Sequence, residues 1–278
     1  MSSSNKILSA ELQSKDSADP ANSPAAIARH ALSCLDLTSL NDADTQDDVA
    51  RLCARAQSRF GPVAAVCVWP RFAAFARKEL APHIAVAAVA NFPDGSGDQQ
   101  RVLREIADIA QSGAQEVDLV LPYMQLLAGN DSAVASLLRV ARKASEGLRL
   151  KVILETGALV GSAHIARASQ LSLEAGADFL KTSTGKTTVS ATPEAARVML
   201  AAIAGDPAAA RHVGFKASGG IRTVSDASQY IALTLEYLGA DAVTPQRFRI
   251  GASSLLADIE AVLAGAASAT PTAAPGSY

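Results

Sequence analysis

Short apolar runs alternate along the chain with longer amphipathic stretches, the pattern expected of βα units around a parallel sheet. The runs predict strands at 33–36, 63–68, 84–90, 116–121, 151–155, 179–182 and 213–217, with a weaker eighth at 247–250. A helix is expected after each, near 45–60, 70–80, 99–113, 132–146, 161–176, 193–205, 223–238 and 253–264. Gly-Ala pairs at Gly113-Ala114, Gly176-Ala177 and Gly239-Ala240 fit helix C-caps that return the chain to the sheet. Eight units in 278 residues favour an α/β fold of one domain, a closed (β/α)8 TIM barrel over residues 25–264. An open doubly wound sheet is the alternative, disfavoured because no GxGxxG follows a strand. Residues 1–24 and 265–278 are rich in Ser, Ala, Pro and other small or polar residues, and read as flexible tails.

A barrel collects its chemistry at the C-terminal ends of its strands. Asp36, Asn91, Asp118, Glu155, Lys181 and Lys216 all fall in or just after predicted strands. Strand parity separates the faces: Val117, Leu119 and Leu121 can face the helices while Asp118 points into the barrel, and Leu35 and Leu37 flank Asp36 in the same way. Lys181 follows Phe179 and Leu180 in a strand, where it is desolvated; Lys186 follows Thr184 and Gly185 in a polar loop that suits a hydrated ammonium and a phosphate. Two strand lysines in one barrel interior repel, and burial beside a second cation favours the neutral amine that attacks a carbonyl. Each lysine could instead simply pair with Asp36 or Asp118.

The amides of Gly219-Gly220, and of Gly251-Ala252-Ser253-Ser254 before the last helix, resemble an anion site at the loops after strands seven and eight. The plainer alternative is a turn and an N-cap. Cys67 can face the barrel as a nucleophile, but with no histidine nearby it reads better as a small hydrophobe. His30, His83, His164 and His212 are scattered without ligand spacing, so no metal is expected.

Charge and composition narrow the classes. Lys plus Arg number 25 against 27 Asp plus Glu, which gives no basic footprint for nucleic acid and none for an anionic membrane. The longest apolar runs, residues 63–69 and 84–90, are seven residues, well short of the ~20 of a membrane span. The first residues lack a basic start followed by an apolar core, so no secretory signal is expected and the expected compartment is cytoplasmic. Three cysteines without CxxC spacing suit neither a disulfide framework nor a zinc site.

From about Leu32 to Ala264 the chain resembles the deoxyribose-phosphate aldolase family of Schiff-base aldolases. The resemblance rests on DLTSLND (36–42), VCVWPRF (66–72), ANFPDG (90–95), GAQEVDLVLPY (113–123), KVILETG (151–157), GADFLKTSTGK (176–186), VGFKASGGIR (213–222) and IGASSLL (250–256). It implies a (β/α)8 barrel that reversibly cleaves 2-deoxy-D-ribose 5-phosphate to acetaldehyde and D-glyceraldehyde 3-phosphate without metal or cofactor, in deoxyribonucleoside catabolism. By the family pattern Lys181 is the Schiff-base nucleophile, Lys216 perturbs it, Asp118 relays protons and Asp36 pairs with Lys216. Thr184, Gly185, Lys186, Gly219, Gly220, Gly251, Ser253 and Ser254 line the phosphate pocket. A tail ending in a tyrosine, here Tyr278, reaches the site in some relatives and helps move the proton at C2. The expected partners are the sugar phosphate and aldehydes, with a homodimer as the assembly. The chain departs from close relatives at Ala217-Ser218, where Pro-Ala is expected, and in its polar approach to the last strand, which carries Pro245. Other classes stay open: a transaldolase-like Schiff-base barrel, or a non-catalytic sugar-phosphate sensor, which would be expected to lack a strand lysine or its acid partner.

Overall fold

The computed structural model describes residues 23–159 and 161–269. Eight parallel strands close into a barrel: β1 (Leu35–Thr38), β4 (Ala65–Val68), β5 (Ala85–Ala90), β6 (Glu116–Val120), β7 (Arg149–Ile153), β8 (Phe179–Lys181), β9 (Gly214–Ser218) and β10 (Phe248–Ala252). Each pairs with its neighbours in sequence order, and β1 closes on β10. The remaining two strands, β2 (Gln57–Ser58) and β3 (Gly61–Pro62), form a small antiparallel hairpin outside the barrel.

Helices fill the connections: α1 (Pro24–Ser33), α2 (Gln46–Arg55), α3 (Pro70–Glu79), α4 (Gln99–Gln111), α5 (Tyr123–Leu127), α6 (Asp131–Ala144), α7 (Ser162–Glu174), α8 (Pro193–Gly205), α9 (Val224–Leu238) and α10 (Leu255–Leu263). Their starts follow local chemistry. Thr45 with Asp48 and Thr223 with Asp226 form reciprocal capping boxes on α2 and α9, and Thr192 followed by Pro193 starts α8. The glycines of the Gly113-Ala114 and Gly176-Ala177 pairs take the left-handed conformation after α4 and α7, as expected of such turns. Gly239 also ends its helix, but leads into a 3-10 turn over Ala240–Ala242 rather than directly into a strand. No helix among the described residues is long and apolar enough to cross a membrane.

Three expectations need correction. The N-terminal tail was expected to run through residue 24, but Ser23 caps α1 and Pro24 begins it, with Ala28, Ala31 and Leu32 buried. The helix expected over 45–60 stops at Arg55, and the chain folds back through β2 and β3 instead. Strand β1 lies two residues later than its expected bounds, which places Asp36 within the ladder opposite Ala65 and Gly251.

Alternation within the strands divides the interior from the helix layer. Leu35, Leu37, Val117, Leu119, Leu180, Phe215, Ala217, Phe248 and Ile250 join the main core between barrel and helices. A second, smaller cluster of Leu40, Cys67, Ala87, Val89, Phe92, Val120 and Ile153 lies apart from it. At the N-terminal end, the Phe179 ring reaches across to Gly214, its register partner on β9. A Cβ on Gly214 would stand 2.4 Å from Cε1 of that ring. The missing side chain of Gly214 is therefore what makes room for Phe179.

Gly214→Ala should consequently destabilise the fold by about 1–3 kcal/mol through overpacking. Urea unfolding at neutral pH measures this, and a variant as stable as the parent would show that the floor of the barrel has slack.

Candidate active site

Six consecutive strands each turn one charged side chain into the barrel: Asp118 from β6, Lys151 from β7, Lys181 from β8, Lys216 from β9, Arg249 from β10 and Asp36 from β1. All are almost fully buried. The ladder aligns Asp118 with Lys151, Lys181 with Lys216, and Lys216 with Arg249, so adjacent strands bring the groups to neighbouring positions. Glu116, two residues before Asp118, adds a seventh charge on the same face.

The geometry centres on Asp118. Lys181 Nζ and Lys216 Nζ both donate to its Oδ2 at 2.8 Å, and Lys151 Nζ donates to its Oδ1 at 2.8 Å. Lys216 also donates to Asp36 Oδ2 at 2.5 Å. Lys151 lies 2.5 Å from Glu116 Oε2 and 3.4 Å from Asp36 Oδ2. Arg249 spans the two remaining acids, 2.5 Å from Asp36 and 2.8 Å from Glu116, and Arg149 approaches Glu116 at 2.6 Å. Three carboxylates thus face three lysines and two arginines.

Burial alone would push the Asp118 carboxyl up, but Lys151, Lys181 and Lys216 outweigh it and hold the group well below the usual carboxylate range. Asp36 is lowered in the same manner, with Lys216 the strongest of its cations, and Glu116 is lowered by Lys151 and Arg249. Burial likewise works against the charge on Lys216, yet Asp118 and Asp36 raise it above the ordinary lysine range. Lys151 is raised by Asp118 and Glu116 against the same penalty. The expected neighbourhood of Lys181 and Lys216 is present, with the Asp118 carboxylate between the two ammonium groups and Asp36 on Lys216; the acids raise Lys216 rather than letting its partner lysine lower it.

Opposite the lysines the wall is apolar. Cys67, Val89, Val120 and Ile153 belong to the inner cluster, and Ile153 is the register partner of Lys181. The Cys67 thiol lies 3.9 Å from Asp118 Oδ2, and burial with the nearby Asp118 carboxylate pushes it up to about 11. It is a filler of the wall rather than a thiolate.

Above the lysines, the loops after β7, β8 and β9 interlock. Glu155, buried and in the left-handed region at φ 57, accepts hydrogen bonds from the Thr184 amide, the Thr184 hydroxyl and Thr187. Burial raises its carboxyl above the usual range despite these bonds. Thr184 Oγ1 accepts from the Lys186 amide at 3.0 Å, and Lys186 itself is exposed. A Cβ on Gly219 would meet Ser190 at 2.5 Å and Gly185 Cα at 3.3 Å, so the two loops touch through these glycines. The amides that open α9 are already taken: Asp226 accepts from Arg222 and Thr223, and Asp258 accepts from Val224. Ser253 and Ser254 follow β10 on the same rim, and Ser254 makes no capping bond to α10. Gly251 lies in β10 opposite Asp36 and Ser218.

Lys181, Lys216, Asp118 and Asp36 are thus in one cluster, and Thr184, Gly185, Lys186, Gly219, Gly220, Ser253 and Ser254 follow three adjacent strands. Tyr278 lies outside the described residues. Lys151, Glu116 and Arg249 are not singled out from the sequence, and Glu155 figures there as a polar strand-end residue without a role. Parity carried the signal for all three: Glu116 stands two residues before Asp118, Lys151 lies between the outward Leu150 and Val152, and Arg249 lies between the outward Phe248 and Ile250. Among the described residues no group of three His, Cys, Asp or Glu side chains could hold a metal ion.

Comparison with known proteins gives the same picture. The sequence profile of the DeoC/LacD family aldolases matches residues 30–261. A crystal structure from Toxoplasma gondii ME49, of a protein to which the deoxyribose-phosphate aldolase identity is ascribed, superposes with a TM-score of 0.80 at 26% identity, over 86% of this chain and 95% of that one. A Coccidioides immitis protein of the same ascription gives 0.74 at 28% identity, over 93% and 99%. The deoxyribose phosphate aldolase of Aeropyrum pernix, described as a unique tetramer, gives 0.67 at 28% identity, over 86% and 92%.

The depressed carboxyls fix the direction of a pH effect. A carboxyl held below its unfolded value of about 4 contributes stability above that pH and loses it as the pH falls further. Asp118→Asn leaves three buried lysines short of a carboxylate and should cost about 3–5 kcal/mol. Urea unfolding between pH 3 and 7 should also show a shallower acid decline than in the parent; an equally steep decline would assign the acid sensitivity to other groups.

Proposed function

The chain belongs to the DeoC/LacD family of aldolases, and from that premise we propose that it reversibly cleaves 2-deoxy-D-ribose 5-phosphate to acetaldehyde and D-glyceraldehyde 3-phosphate through a Schiff base on Lys181. The observation that carries this is the unequal sharing of carboxylates among the three buried amines. Lys151 has three acidic neighbours and Lys216 has two, whereas Lys181 has Asp118 alone among the described residues. Lys181 is therefore the amine least tied down. It also stands last on β8, next to the loop that leads to Thr184.

In this reading the nitrogen lone pair of the Lys181 amine adds to the C1 aldehyde to give a carbinolamine. Asp118, in contact with Lys181, moves the proton that lets hydroxide leave as water, and an iminium results. Loss of the C3 hydroxyl proton then breaks the C2–C3 bond. Its electron pair flows into the iminium and leaves a two-carbon enamine on Lys181, while the C3 carbon departs as the aldehyde of glyceraldehyde 3-phosphate. Protonation of the enamine at C2 and hydrolysis of the imine release acetaldehyde. Lys216, held protonated by Asp36 and Asp118, supplies a fixed positive charge beside the reacting nitrogen. The apolar wall of Cys67, Val120 and Ile153 suits the two-carbon fragment.

The phosphate would lie on the rim, against the amides of Gly185, Gly219 and Gly220, the Thr184, Ser253 and Ser254 hydroxyls, and Lys186. Gly251, in β10 two residues before Ser253, belongs to this reading as part of the same rim. Binding the phosphate far from the breaking bond orients the sugar. At the Ala217-Ser218 departure, the Ser218 hydroxyl donates to the Ser183 carbonyl and its amide to the Thr182 hydroxyl, which ties β9 to the β8 loop beneath the proposed phosphate rim.

Tyr278 enters as a proton relay at C2. The support is where the described chain ends. After α10 it turns back, so that Ser268 and Ala269 donate to Asp258, in the first turns of α10, and Asp258 also accepts from Val224 at the start of α9. That point adjoins the rim of β9 and β10, and the nine residues that follow Ala269, ending at Tyr278, span up to ~30 Å when extended.

Treatment with acetaldehyde and borohydride should abolish activity and leave an ethyl group on Lys181, located by peptide mass mapping; a label on Lys151, Lys186 or Lys216 would overturn the assignment. Tyr278→Phe should leave that trapping intact while slowing exchange of the acetaldehyde methyl protons with deuterated solvent at least about tenfold. Parent-like exchange by proton NMR would remove Tyr278 from the mechanism.

A further inference from the structure

A cavity of about 510 Å³ opens at the end of the barrel opposite the lysines, between α1, the β2–β3 hairpin and the N-terminal ends of the strands. The volume falls in the range of small-ligand pockets. Four of its lining side chains are Arg29, His83, Arg149 and Arg249, and no Asp or Glu lines it. Arg29 has no carboxylate partner among the described residues. Arg149 has only Glu116, leaves 35% of its side chain exposed, and lies beside the Phe179 ring. Behind them, the three buried carboxylates Asp36, Glu116 and Asp118 already face the buried lysines as well as Arg149 and Arg249, so none of them is left to neutralise Arg29 at this mouth.

We propose that this N-terminal mouth is a second anion site, which takes a small oxyanion of the phosphate or phosphate-monoester class. The arginines supply the planar donors that match such oxygens. Arg149 and Arg29 both line the cavity, Arg149 pairing through one guanidinium nitrogen with Glu116 and Arg29 having no carboxylate partner among the described residues, and the backbone from Gly61 to Ala64 lines it as well. The same mouth reaches Asp36 and Glu116 through Arg249, so an anion seated there lies one residue from the carboxylate that holds Lys216. The site is separate from the substrate phosphate on the opposite rim and does not rest on it.

The test is a titration of the full chain with inorganic phosphate, followed by amide resonances. In the parent, Gly61 and Ala64 should shift as one saturable group, and Gly219 and Gly220 as another. Arg29→Glu combined with His83→Glu should weaken the Gly61 and Ala64 response at least about tenfold, and leave the Gly219 and Gly220 response in place. Lys186→Ala should do the reverse. Resonances of Gly61 and Ala64 that stay still in the parent, that respond unchanged in the double variant, or that move equally with chloride at matched ionic strength would overturn the proposal. A Gly219 and Gly220 response that survives Lys186→Ala would count against the substrate-phosphate rim instead, without touching the second site.

Discussion

A single carboxylate, Asp118, accepts hydrogen bonds from three lysines inside a closed barrel, and the rest of the molecule is arranged so that this can exist. Each ion taken out of water costs several kcal/mol unless partners replace the lost solvent. The replacement comes from Asp36, Glu116 and Arg249, which complete a network with no exposed member except Arg149 at its edge. Because every member stands on a strand, its position is set by the hydrogen-bonded ladder and by the helices packed outside, not by loop conformation. Rigid backbone thus substitutes for the solvent reorganisation that would otherwise accompany each change of charge.

The interior is divided lengthwise as well as from end to end. Strands β8, β9, β10 and β1 carry Lys181, Lys216, Arg249 and Asp36, while β4 and β5 contribute Cys67, Ala87 and Val89. Strands β6 and β7 belong to both halves, with Asp118 and Lys151 below and Val120 and Ile153 above. A reacting carbon chain can therefore lie on an apolar surface with its functional group against the amines. At the rim, Glu155 translates the end of β7 into an ordered β8 loop: its strained backbone aims a carboxylate at Thr184, and Thr184 in turn holds Lys186.

Alternation made much of this legible from the chain alone. Asp36 and Asp118 stand out because apolar residues flank them at the period of a strand, and Lys181 and Lys216 because an ammonium follows buried residues. The same rule applied to Arg149-Leu150-Lys151, or to Phe248-Arg249-Ile250, points Lys151 and Arg249 inward too. Lys151 escaped notice at the margin of an apolar run, and Arg249 lay in the weakest strand. Other features had no local signal strong enough to compete. The β2–β3 hairpin is two residues on each side, and its existence depends on packing against α1, itself hidden in a segment whose Ser, Asp and Pro content resembles a tail. Ser23 and Pro24 did carry a capping signature, which composition masked. Loop interlock at Gly185 and Gly219, and at Gly157, where a Cβ would collide with the Val189 carbonyl, is set by long-range approach, where each glycine looks locally like any other turn.

The floor built from Phe179, Gly214, Arg149 and Arg249 has a consequence for proton traffic. A phenyl ring has no exchangeable proton, and a guanidinium does not release one at physiological pH. These four residues therefore offer the network above them no proton donor on the side of the N-terminal mouth. A proton displaced from one amine passes most directly to a carboxylate already touching it, and Asp118 touches all three lysines. Under the proposed reaction, the acid and base for successive steps would come from redistribution among groups already in contact.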